Sequence, residues 1–109
     1  MYYERNQRHF RGRKTKVNGK VKIHPNYIVG EEKENYFSFG ITHSEKKGKG
    51  HKNHRLEKNP NKQDKNPSYL KKKMEIAPKK SFTSILKGFS MSKNDDDYVD
   101  SLIRKRRDK

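Results

Sequence analysis

The segment "HSEKKGKGHKNH", residues 43–54, sets three histidines among lysines, and a further histidine, His24, stands directly before Pro25. Histidine titrates near neutral pH, so it can give or take a proton or ligate a metal. Metal binding by His43, His51 and His54 is disfavoured. Glu45 and Glu57 are the only nearby carboxylates, and lysines would repel a cation from every candidate ligand. "GKGHKN" is not a nucleotide-phosphate loop either, because it lacks that spacing and precedes no helix. What this segment offers is positive charge and hydrogen-bond donors for phosphate. Lys46, Lys47, Lys49, Lys52 and Arg55 join Ser44 and the three histidines in that role, with Lys22, Arg11 and Arg13 contributed from earlier in the chain.

The whole composition points the same way. The chain has 109 residues, 29 Lys and Arg against 13 Asp and Glu, and a formal charge of +16. Such an excess calls for a polyanion, and nucleic acid answers best, since neutralised phosphates release counterions. No cysteine is present, which excludes disulfides and thiolate zinc sites. No cofactor and no metal are expected. The start, "MYYERNQRHFRGRK", has no apolar stretch behind its charges. No run approaches the roughly 18 apolar residues that a membrane helix needs. A soluble, cytoplasmic protein without membrane contact is expected.

These side chains need a scaffold. Only 27% of residues are hydrophobic, but they gather at 21–41, 68–76 and 82–103, so one small folded core is expected. Val21, Ile23, Tyr27 and Val29, then Phe37, Phe39 and Ile41, alternate as two half-buried strands. "GEEKEN" would join them, with Gly30 available for a positive φ. Tyr36, Ser38, Gly40 and Thr42 would form the polar face. Residues 1–20 read as a flexible basic arm whose Tyr2, Tyr3, His9 and Phe10 are suited to stacking on bases. Residues 43–67 read as a long basic loop with a short extended piece near Leu56, and 68–76 as a strand between prolines. Phe82, Ile85, Leu86 and Phe89 have helical spacing. The clearest helix is "SKNDDDYVDSLIRKRRDK". Ser92 and Asp95 are spaced as a capping box, acids lead and bases trail, and Tyr98, Val99, Leu102 and Ile103 make one stripe.

Taken in order, "KIHPNYIV", "GITHS", "SYL" and "FSMSKNDDDYVDSLI" resemble the PemK/MazF-like toxin family over roughly residues 21–104. The resemblance implies a mainly β fold with α, a small SH3-like β-barrel at 21–107 with a C-terminal helix. It also implies metal-independent cleavage of single-stranded RNA, often by a homodimer restrained by an antitoxin protein. His24 and Thr42 match that family's catalytic positions most nearly. The sequence departs from the family where His24 replaces arginine before proline, and where His43 separates Thr42 from Ser44. Cleavage without a metal needs a base for the 2′-hydroxyl, an acid for the leaving oxygen, and donors on the phosphate. The alternative expectation is a non-catalytic basic nucleic-acid-binding module, ribosome- or mobile-element-associated. For either reading the expected partner is nucleic acid, RNA ahead of DNA.

Overall fold

A computed structural model describes residues 1–46 and 52–107. Its architecture is a seven-stranded antiparallel sheet and one C-terminal helix. The strands are β1 (His9–Val17), β2 (Lys20–Glu32), β3 (Asn35–Thr42), β4 (His54–Arg55), β5 (Tyr69–Leu70), β6 (Glu75–Pro78) and β7 (Phe82–Ile85), and the helix is α1 (Lys93–Arg107). The order is β4-β5-β3-β2-β1-β7, with β6 also on β3. That path does not close, since β4 and β7 are its two ends.

The second half of the stretch read as a basic arm is largely strand β1. Its nine residues pair in register with β2 from His9↔Ile28 to Val17↔Lys20. The cause is the Asn18–Gly19 turn, where both residues have positive φ (52° and 79°) as a two-residue hairpin of native twist requires. Beyond Arg13, which pairs with Phe82 of β7, residues 14–17 and 20–24 continue as a two-stranded ribbon outside the main sheet.

β2 and β3 form the expected hairpin, with differences in detail. The turn is Lys33–Glu34, and Lys33 takes the positive φ of 54°. Gly30 lies inside β2 without positive φ, and close approach is what demands glycine there. A Cβ would lie 2.6 Å from the Met1 carbonyl oxygen and 2.9 Å from the Phe37 ring. A bulge between Ile28 and Gly30 adds one residue to β2, so Tyr27, Ile28 and Val29 are all buried. The alternation assigned to Val21 and Ile23 gives their face but not their burial, because the ribbon carries them past the core into solvent.

One apolar cluster joins Phe10, Tyr27, Val29, Phe37, Phe39 and Ile41 to Leu56, Leu70 and Met74, and α1 covers it with Val99 and Ile103. A smaller one holds Ile28, Ala77 and Phe82 with Tyr3 and Tyr36. The segment 82–89 is not helical. Thr83 and Ile85 favour a strand, and β1 offers an open edge, on which Gly12 N–H donates to Thr83 Oγ1 (2.9 Å) and Leu86 N–H to the Phe10 carbonyl (2.8 Å). Residues 68–76 are likewise not one strand but contribute to two, β5 and β6.

Helix α1 begins where expected. Ser92 Oγ accepts from the Asp95 N–H (3.2 Å), but the Asp95 carboxylate turns away from a reciprocal cap and accepts from the Glu57 N–H (2.9 Å). Asp96, Asp97 and Asp100 hold the chain's beginning. Arg8 reaches Asp96 (3.1 Å) and Asp100 (2.5 Å), and Arg5 reaches Asp97 and Asp100. No helix among the described residues is long and apolar enough to cross a membrane.

Candidate functional site

Strand pairing itself opens a cleft. The last β2–β3 pair on this side is Asn26↔Gly40, and Asn26 Nδ2 donates to Ser38 Oγ (3.0 Å) just before it. Past that point β2 continues with β1, while β3 continues with β5 through Ile41↔Leu70 and Thr42↔Tyr69. Each strand is left with an edge no strand pairs, and the two edges face a cavity of about 590 Å³. Ile23, His24 and Pro25 form one wall, and Ile41, Thr42, His43 and Ser44 the other. Phe89, Ser68, Asn59, Asn61 and Asp64 complete the lining.

The cleft thus unites four of the residues selected from sequence: His24, Thr42, His43 and Ser44. Their local bonds are specific. His43 Nε2 lies 2.8 Å from Asp64 Oδ2, so with Nε2–H donating, Nδ1 is left to accept a proton. Asp64 is held well below the ordinary carboxylate value, at about 2, first by the Asn66 N–H and then by His43. Thr42 Oγ1 accepts from the Ser44 N–H (3.1 Å), which leaves its own hydrogen to donate. Ser44 Oγ donates to the Lys46 carbonyl (3.0 Å).

The other selected residues are dispersed. Lys22 is exposed on the ribbon two residues before His24, and Lys46 and Lys52 face each other across a bridge beyond Ser44. Lys47, Lys49 and His51 lie outside the described residues. Arg55 lines a neighbouring hollow. His54 stacks on Tyr98 at 3.6 Å, and burial, helped by Lys72, lowers its pKa despite the attraction of Asp95. Arg11 donates to His9 (2.9 Å) and the Thr83 carbonyl (3.0 Å) and lies over Tyr36, while Arg13 pairs with Glu75. Neither arginine lines the cleft. No group of three or more candidate metal-ligating side chains occurs among the described residues.

Asp64, Asn59, Asn61 and Ser68 were missed from sequence. The signal was present in "NPNKQDKNPS", whose Asn and Asp residues recur at the spacing of side-chain-to-backbone turns. Asn61 N–H donates to Asn59 Oδ1, Gln63 N–H to Asn61 Oδ1, and Asn66 N–H to Asp64 Oδ1, each near 3.0 Å. This loop is therefore built by its own side chains and tied down by Ser90 N–H donating to the Pro60 carbonyl (3.0 Å).

Comparison of the chain with protein-family models, curated proteins and solved structures found no match.

Proposed function

We propose that this protein binds single-stranded RNA in the cleft between β2 and β3. The observation that carries the reading is the cleft's lining. His24 on one wall meets Thr42, His43 and Ser44 on the other in one cavity, beside a ribbon bearing Lys14, Lys16, Lys20 and Lys22. Among the described residues, no carboxylate lies within ion-pair distance of those four lysines. Their charge remains available to phosphates. We read the sheet as an SH3-like barrel left open along one seam, the architecture implied by the PemK/MazF-like resemblance.

The His43–Asp64 pair favours a second reading, in which bound RNA is cut without a metal. His43 Nδ1 takes the proton of a 2′-hydroxyl, and the 2′-oxygen attacks the adjacent phosphorus. The bond to the 5′-oxygen breaks, and His24 protonates that oxygen, which leaves a cyclic phosphate and a 5′-hydroxyl. Thr42 Oγ–H donates to a non-bridging oxygen as charge develops there. Asp64 positions His43.

The test is labelled single-stranded RNA titrated with the protein in chelator, beside DNA of the same sequence. Binding of RNA that weakens with salt is expected. Cleavage that disappears in His24→Ala and His43→Ala would support the second reading, and intact RNA in a saturated complex would refute it. No binding at low salt would refute both.

A further inference from the structure

Behind the cleft lies a second hollow, of about 420 Å³, that the reading above does not use. It is walled by residues 55–59, 61–62 and 64–68. Asn59, Asn61, Asp64 and Ser68 line both cavities, so the two adjoin across a shared ridge. Arg55, Lys58, Lys62 and Lys65 are its cations, and all four are exposed.

We propose that this hollow is a second phosphate-binding subsite that takes the RNA backbone after it leaves the cleft. The proposal rests on the RNA reading and gives the bound strand a path and a minimum length. Electrostatics supports it first. The hollow's two carboxylates are turned to other work, since Glu57 accepts from Asn94 (2.7 Å) and Asp64 is held by His43 and Asn66. Among the described residues none of the four cations forms an ion pair, so they repel one another until a polyanion arrives. Rigidity supports it second. The same Asn and Asp turns that place Asp64 beside His43 also fix the walls of this hollow, and Asn59 Nδ2 closes the loop by donating to the Asn66 carbonyl (3.0 Å). A site fixed before binding loses little entropy on occupation.

The experiment compares wild type with a Lys58→Gln, Lys62→Gln, Lys65→Gln triple variant. Affinity for oligouridine is read by fluorescence anisotropy over a salt series, using one oligomer long enough to cross both hollows and one confined to the cleft. All three lysines are exposed, and an unchanged melting temperature controls for folding. Each lost phosphate contact on a single strand lowers the salt slope by about 0.7, so the triple variant should lose about 2 from its slope with the long oligomer. The short oligomer should bind both proteins alike. An unchanged slope with the long oligomer would overturn the subsite while leaving the cleft reading intact. Failure of wild type to bind either oligomer would overturn both.

Discussion

Asp96 is the residue whose removal tests most sharply how the chain's beginning is held. Its Oδ1 accepts from Tyr27 O–H (2.6 Å) and from Arg8 Nη1 (3.1 Å). The Arg8 side chain is only 5% exposed, and its Nε has no partner, so the guanidinium depends on Asp96 and Asp100. Removing one partner of a buried ion pair costs about 3–5 kcal/mol when the charge left behind is uncompensated. Asp100 still compensates Arg8, which lowers that figure, but the Tyr27 hydroxyl loses its acceptor inside the core at about 1–3 kcal/mol. Asp96→Ala should therefore cost about 3–4 kcal/mol. Tyr27→Phe, which leaves the Asp96–Arg8 contact in place, should cost about 1.5 kcal/mol.

In the double variant no hydroxyl is orphaned, so the two losses should fall short of adding by about 1–2 kcal/mol. Urea and thermal denaturation followed by circular dichroism read all four proteins. The Asp96→Ala melting temperature should fall by roughly 12–30 °C, at about 4–8 °C per kcal/mol for a domain of this size. A loss below about 1 kcal/mol, or strict additivity, would show that Arg8 and Tyr27 find other partners and that the reasoning is wrong.

Two titrations extend the test to pH. His54 is held below the ordinary histidine value of 6.5 by burial, so the folded state keeps it neutral while the unfolded chain takes up the proton first. Stability from this group is complete above 6.5 and declines as pH falls toward the folded pKa. Thermal melts between pH 7.5 and 5.5 should show a loss that His54→Phe, which preserves the stack on Tyr98, removes; equal slopes would refute it. Asp64 is depressed from 3.8 to about 2, so its contribution is present above pH 4 and lost between about 4 and 2. Carboxyl NMR should place its midpoint near 2, and an ordinary midpoint would mean that neither Asn66 nor His43 engages it.

The legible parts of the fold were those governed by local pattern. Phe37, Phe39 and Ile41 alternate and are buried, and Tyr98, Val99, Leu102 and Ile103 form the helix stripe that meets the core. Asn18–Gly19 was an equally local hairpin signal, but the surrounding charges favoured an unpaired arm over a strand. Phe82, Ile85, Leu86 and Phe89 show the opposite error. Their spacing fits a helix, and only the vacant edge of β1 decides for a strand, a fact of tertiary structure. At the site, the histidines and hydroxyls could be selected by residue type. The partner of His43 lies 21 residues away in a loop whose course depends on Asn side chains, and no period in the sequence reports that.

The charge of this protein acquires meaning from where its acids are. Asp95, Asp96, Asp97 and Asp100 all lie on α1, where they hold Glu57, Tyr27, Arg5 and Arg8. Glu75 holds Arg13, and Glu31 holds Lys79 and Tyr3. Negative charge is thus largely consumed in joining helix, loop and chain start to the sheet, and among the described residues the lysines of the ribbon and the 55–68 loop form no ion pair. The two features share one origin. A sheet whose central strands part after Asn26↔Gly40 leaves a cleft that a short loop could not floor, and the long loop that floors it buries Leu56 and Pro60 while its remaining residues are largely polar. A cationic rim around a histidine-lined cleft follows from that combination, and it is this rim that the proposed RNA backbone would neutralise.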